Sequence, residues 1–145
     1  MIKAVLVVLT MFGGLVPSTW VLRARVSHVS IYVDSSRVER GRPDTTTGFW
    51  LLWVQDTPQP ADTVPNAARY KQIEMHVGIR CGARTIHPYE IAIYDSIGRQ
   101  ITEHSFTPTD PIRRTYSQMA ANVAHAVCQW FRDSTAPPVI VPDPS

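Results

Sequence analysis

The chain has 145 residues, a formal net charge of +2 and two cysteines, with a pI near 8.7. Less a leader, that length suits a single domain that can bury a real core. The arginines between Arg23 and Arg132 are scattered and form no run of the kind that tracks phosphates, so nucleic acid is not expected as a partner.

The N-terminus reads "MIKAVLVVLTMFGGLVPST": one charge at Lys3, an apolar stretch from Ala4 to Val16, then small residues at Ser18 and Thr19. This order predicts a signal peptide over residues 1–18, cut after Ser18. The apolar stretch is too short to span a bilayer core, which takes about 20 residues. Nothing downstream is apolar enough to do so either. The leader holds no cysteine, so the expected product is exported without a lipid anchor, to the periplasm, the cell surface or the medium.

Trp20 to Val26 and Val29 to Asp34 are rich in β-branched and aromatic residues, with turn formers between, and predict a first strand pair. "GFWLLWVQ" is continuously apolar, as in a strand covered on both faces. Trp50 and Trp53 fall on its opposite faces. The following "QDTPQPADTVPNAARY" carries prolines that remove backbone donors, and predicts a long loop. From Ile73 to Cys81 the chain alternates, with Ile73, Met75, Val77, Ile79 and Cys81 on one face and Glu74, His76, Gly78 and Arg80 on the other. After a turn at Gly82, "TIHPYEIAIYD" alternates again with Tyr89, Ile91 and Ile93 together. Pro88 marks a strand start or an edge. A turn at Ile97-Gly98 leads into "RQITEHSF" and completes a hairpin.

"TYSQMAANVAHAVCQWFRD" is the one predicted helix, with a capping box between Thr115 and Gln118. Met119, Val123, Val127 and Trp130 line one stripe, with Ala121, Ala124, Cys128 and Phe131 beside it. The proline-rich end, residues 133–145, predicts an extended, poorly ordered tail, so the domain should span residues 19–132.

Two core-facing cysteines in an exported chain predict a Cys81–Cys128 disulfide that staples the helix to the sheet. Two free buried thiols are the alternative. A structural zinc site built from Cys81, Cys128, His125 and one further group is a weaker one.

Taken in order, "YVDSSRVERG", "FWLLWVQDTPQP", "YKQIEMHVGIRCGARTI", "YEIAIYDSIGRQI" and a helix ending in "HAVC" resemble the bacterial surface-adhesin protein E family. The resemblance runs from about Trp20 to about Trp130. It implies an α+β domain, a mostly antiparallel sheet with one C-terminal helix packed on it and a disulfide joining the matching positions Cys81 and Cys128. The chain departs from the family in lacking a lipid-bearing cysteine. It also has "PTDPIRRTY" where a tryptophan usually stands between the last strand and the helix.

Catalytic chemistry finds little support. Asp95 and Ser96 read as turn residues, and a triad with His104 has no supporting spacing. His28 and His104 fall in or near turns, while His76 and His87 read as surface histidines. Glu90 and Glu103 are isolated, and no glycine-rich phosphate loop occurs. No enzyme activity, metal or cofactor is expected. The candidate binding surface is an aromatic patch of Trp50, Trp53 and Tyr94, near Tyr32 or Tyr70, rimmed by Arg80, Arg84, Arg113 and Arg114. The expected function is a non-catalytic binding module of the cell envelope, with an unidentified protein or surface ligand. The alternative is an assembly protein that forms homodimers or pairs with an envelope partner through a sheet edge near Ile31 or Ile101.

Overall fold

The computed structural model describes residues 19–60, 69–106 and 117–141. The predicted leader, Thr115, Arg113 and Arg114 lie outside these residues. In chain order the elements are β1 (Trp20–Val26), β2 (Val29–Asp34), β3 (Thr47–Pro60), β4 (Arg69–Arg80), β5 (Thr85–Tyr94), β6 (Gln100–Ser105), α1 (Ser117–Arg132) and β7 (Val139–Val141). The strands form one sheet in the order β6-β5-β4-β3-β2-β1-β7. All neighbours are antiparallel except β1 and β7, which are parallel. The chain is therefore the expected α+β domain.

The hairpins follow from local chemistry. Between β5 and β6 the Asp95 carboxylate accepts from Ile97 N at 3.0 Å and Arg99 N at 2.8 Å. Gly98 takes the left-handed φ of 85° that closes the turn. Asp95 and Ser96 are turn residues, as the sequence indicates.

Helix α1 buries Val123, Ala124, Ala126, Val127 and Cys128 against one face of the sheet, where Ala24, Ile31, Phe49, Leu51, Val77 and Ile79 meet it. The Cys81–Cys128 disulfide is present, with Cα atoms 5.7 Å apart. It ties the end of β4 to the last turns of the helix. A second cluster of Trp20, Leu52, Ala92 and Tyr94 lies on the opposite face.

Several expectations are corrected. The proline stretch is not all loop, because β3 runs on to Pro60. Pro58 falls in the ladder gap between Val54 and Gln59, beyond the last β2 partner at Gln55, so its missing donor forfeits no ladder bond. Tyr89 does not share a face with Ile91 and Ile93. It is the extra residue of a bulge, for His76 pairs with Glu90 while Val77 pairs with Pro88, and this turns its ring to the face opposite the helix. Ile31 is not at an edge, since β2 lies inside the sheet between β1 and β3.

Residues 133–141 are also not a loose tail. Asp133 Oδ1 accepts from Thr135 N at 3.0 Å and Thr135 Oγ1 at 2.7 Å. Arg23, turned aside by a bulge between Leu22 and Ala24, donates to the carbonyls of Ala136 and Pro137, both at 3.0 Å. Val139–Val141 then pairs with Ala24, Arg25 and Val26. Proline removes donors but leaves carbonyls, and a buried arginine on β1 uses them.

Candidate binding surface

The site is built on the sheet face that α1 does not cover, by the loop of residues 35–46 between β2 and β3. Asp34 starts it: its carboxylate accepts from Ser36 N at 2.9 Å, Ser36 Oγ at 2.6 Å and Arg37 Nε at 2.6 Å. Burial pushes this carboxyl up, but the hydrogen bonds of Ser36 and the Arg37 charge outweigh it and hold it below the ordinary value. The Arg37 guanidinium lies between two indoles, 5.6 Å from the Trp20 ring and 4.8 Å from the Trp50 ring. Its NH2 is also 3.8 Å from the carboxylate of Glu74, which is buried at 3% exposure.

From Trp50 the contacts continue across the sheet. Trp50 and His76 are cross-strand partners and their rings stack at 4.4 Å and 5°. Glu39 accepts from His76 Nε2, and Glu90 Oε1 lies 3.9 Å from Nδ1. Tyr89 meets His76 edge-on at 5.1 Å. Its hydroxyl donates to Asp44 and lies 2.8 Å from Thr46 Oγ1. Arg42 caps the row, 4.3 Å over the Tyr89 ring, and donates to Glu39 at 3.1 Å. Trp20, Arg37, Trp50, His76, Tyr89 and Arg42 thus form a continuous run of rings and guanidinium groups that holds the loop down.

Two glycines clear the floor for it. Gly48 and Gly78 are cross-strand partners. A Cβ on Gly48 would come within 2.9 Å of Glu39 Cβ, and one on Gly78 within 2.5 Å of Thr46 Oγ1 and into the Tyr89 hydroxyl. Only residues without side chains let the loop lie this close.

The electrostatics match the geometry. Hydrogen bonds from Thr46 and Tyr89, then the Arg42 charge, outweigh burial and hold the Asp44 carboxyl well below the usual carboxylate range. Burial, then the bond to Asp44, pushes the Tyr89 hydroxyl up. Asp44 therefore stays an acceptor and Tyr89 a donor through neutral pH.

Of the candidate residues read from the sequence, only Trp50 joins this run. Trp53 lies on the other face and packs into the helix-side core. Tyr94 is fully buried, and burial followed by the nearby Glu74 charge pushes its hydroxyl up to about 12. The patch of Trp50, Trp53 and Tyr94 therefore does not form. Arg80 and Arg84 stand exposed at the end of β4 and in the turn after it. His76 is not a plain surface histidine: its side chain is 17% exposed. Arg37, Glu39, Arg42, Asp44 and Tyr89 were not singled out as site residues by sequence, and the paired glycines were the one available signal. Among the described residues no group of three or more His, Cys, Asp or Glu side chains is placed to hold a metal ion. Both sulfurs of the weighed zinc site are taken by the disulfide.

The surface-adhesin protein E family matches the chain over residues 20–129. Solved structures similar to it include Haemophilus influenzae protein E, 15% identical, with 77% of this chain and 90% of that chain covered and a TM-score of 0.40. Its selenomethionine form is 17% identical, with 77% and 92% covered and a TM-score of 0.42. Protein E from non-typeable Haemophilus influenzae is 13% identical, with 84% of each chain covered and a TM-score of 0.43. No curated protein matches the sequence.

Proposed function

The chain belongs to the surface-adhesin protein E family, and we propose that it acts as an exported, non-catalytic binding module of the bacterial cell envelope. The observation that carries this reading is the locked loop of residues 35–46. A loop held in one conformation before its ligand arrives loses little entropy on binding. The rim of that surface, Glu39, Asp44 and Glu90, is open to solvent, with side-chain exposures of 41%, 41% and 48%. Export is supported by the leader-like N-terminus and by a disulfide, which persists in oxidising compartments.

Beads coated with the purified protein should be retained on cultured epithelial monolayers. Retention should fall for a Glu39→Ala/Arg42→Ala variant that still melts cooperatively. Retention no better than that of albumin-coated beads would remove the adhesin reading. The intact mass of protein recovered from an expressing cell tests export separately: loss of residues 1–18 and of two hydrogens is expected, and a full-length reduced chain would refute it.

A second reading is self-association. Among the described residues β6 has a neighbour on one side only, with Ile101 on it, so its outer backbone groups can pair with another strand. A sizing column run over a hundredfold concentration range, showing a dimer lost in a Glu103→Pro variant, would favour it, because Phe106 donates to Tyr89 and strand alternation turns the Glu103 N–H to the outer edge.

A further inference from the structure

We propose that the end of the sheet where the loop 35–46, the turn 81–84 and the C-terminus of α1 meet is a binding site for a sulfated polysaccharide. Four arginines lie on the elements that meet there, Arg80 on the face away from α1 and Arg40 and Arg132 on the helix side. Arg80 and Arg84 flank Cys81, whose bridge sets the turn against Cys128 with Cα atoms 5.7 Å apart. Arg132 lies one helical turn beyond Cys128, at the end of α1. The Arg40 guanidinium sits 4.3 Å over the ring of Phe131, the residue before Arg132. Arg80 also donates to the Asp44 carbonyl at 3.1 Å, which ties the turn to the loop.

All four are exposed, and none has a carboxylate partner in the ion pairs among the described residues. Of the adjoining acids, Asp133 is occupied by Thr135 and Asp44 by Thr46 and Tyr89. Arg132 also complements the negative end of the helix, a structural role that accounts for one of the four. Arg84 has no such role. Its backbone takes a φ of 54°, where glycine would be relaxed and an arginine is disfavoured. Strain of this kind concentrates at functional sites.

The guanidinium fork binds oxyanions with two parallel hydrogen bonds, and a sulfated chain presents more such charges per sugar than one that carries carboxylates alone. The exposed large hydrophobics, Ile97 and Ile140, lie in the β5–β6 turn and on β7, away from this end. Phe131, the apolar ring among the four arginines, is part-buried under Arg40, so among the described residues no exposed large apolar side chain stands beside them to anchor in a bilayer. Outside the cell a repeating sulfated chain is the extended polyanion that such a cluster meets.

The inference rests on the export half of the reading above and not on adhesion. Purified protein and defined oligosaccharides report on it whether or not coated beads adhere. By titration calorimetry a heparin octasaccharide should bind, with log K falling against log salt at a slope of about −3. Arg84→Gly should reduce that slope by about one. It should weaken binding roughly tenfold, the size of one charged hydrogen bond, and melt no lower than the parent because glycine relaxes the turn. Arg84→Gly/Arg132→Gln should weaken it further. Hyaluronan of the same length, which carries carboxylates alone, should bind much more weakly, as should phosphatidylglycerol vesicles. Equal binding of hyaluronan, preference for the vesicles, an Arg84→Gly variant that binds like the parent, or no binding at low salt would each overturn the proposal.

Discussion

Replacing Cys81 and Cys128 together by alanine removes the one covalent link between helix and sheet, and the structure sets the size of the loss. The bridge closes a separation of 47 residues. In the chain-entropy description such a loop restricts the unfolded state by about 14 cal/mol/K, or about 4 kcal/mol at 25 °C. Alanine is the right substitution, because Cys128 is 2% exposed and a serine hydroxyl there would be buried in apolar surroundings. For a domain of this size, about 4 kcal/mol corresponds to a fall in melting temperature of roughly 15 °C. The assay is thermal unfolding followed by circular dichroism on the oxidised parent, the parent in reductant and the double variant. The reduced parent and the variant should melt together, well below the oxidised parent. If all three melted within about 3 °C of one another, the bridge would contribute nothing measurable and the helix would be held by its apolar face alone.

Gly78→Ala should destabilise the domain by about 1–3 kcal/mol in urea unfolding, because the new methyl meets Thr46 Oγ1 at 2.5 Å and displaces the Tyr89 hydroxyl. A neutral or stabilising result would mean that the loop does not need the cleared floor. Asp44 is held below the ordinary carboxylate value by Thr46, Tyr89 and Arg42. Its contribution is thus fully present above the unfolded value of about 3.9 and is lost as pH falls below it. Asp44→Asn should lower stability at neutral pH and make the acid limb below about pH 4 shallower, though not flat, because the Asp34 carboxyl is depressed too. Equal acid slopes in parent and variant would refute the assignment. Ending the chain after Arg132 removes the carbonyls of Ala136 and Pro137 from Arg23, which is 2% exposed. That should cost about 1–3 kcal/mol, and an unchanged melting temperature would show that residues 133–141 are ornamental.

The strands, the helix and the cysteine pair were legible because each follows from a local period. The alternation from Ile73 to Cys81 assigns the helix-side face, and the two helix stripes assign the side that meets it. The run of rings and cations was not legible, because it depends on register. Trp50 and His76 stack only because β3 and β4 pair them, and that pairing also sets Gly48 opposite Gly78. Tyr89 joins the row through a bulge that no alternation rule anticipates. The same blindness hid the basic end: Arg40, Arg80, Arg84 and Arg132 are scattered in sequence, and the disulfide and the ring of Phe131 bring their elements to one end of the sheet. Residues 133–141 were misjudged for another reason, since proline content speaks only of donors while the acceptors here are what Arg23 uses.

The loop 35–46 joins these two regions because it is, for a few residues, a broken continuation of β2. Glu39 and Gly48 bond each other in both directions, at 2.9 Å and 2.8 Å, as antiparallel partners. Strand alternation then follows: Val38 packs into the helix-side core, Glu39 reaches His76 on the opposite face, and Arg40 returns to Phe131 on the helix. One short segment therefore takes part in both surfaces. A ligand that draws Arg40 off Phe131 works against the same backbone that positions Glu39 and Arg42. The two surfaces are held by separate side chains on a shared support. Substitutions at exposed tips such as Arg84 should change binding with the fold intact, whereas those at Gly78 or Asp44 should disturb the support itself.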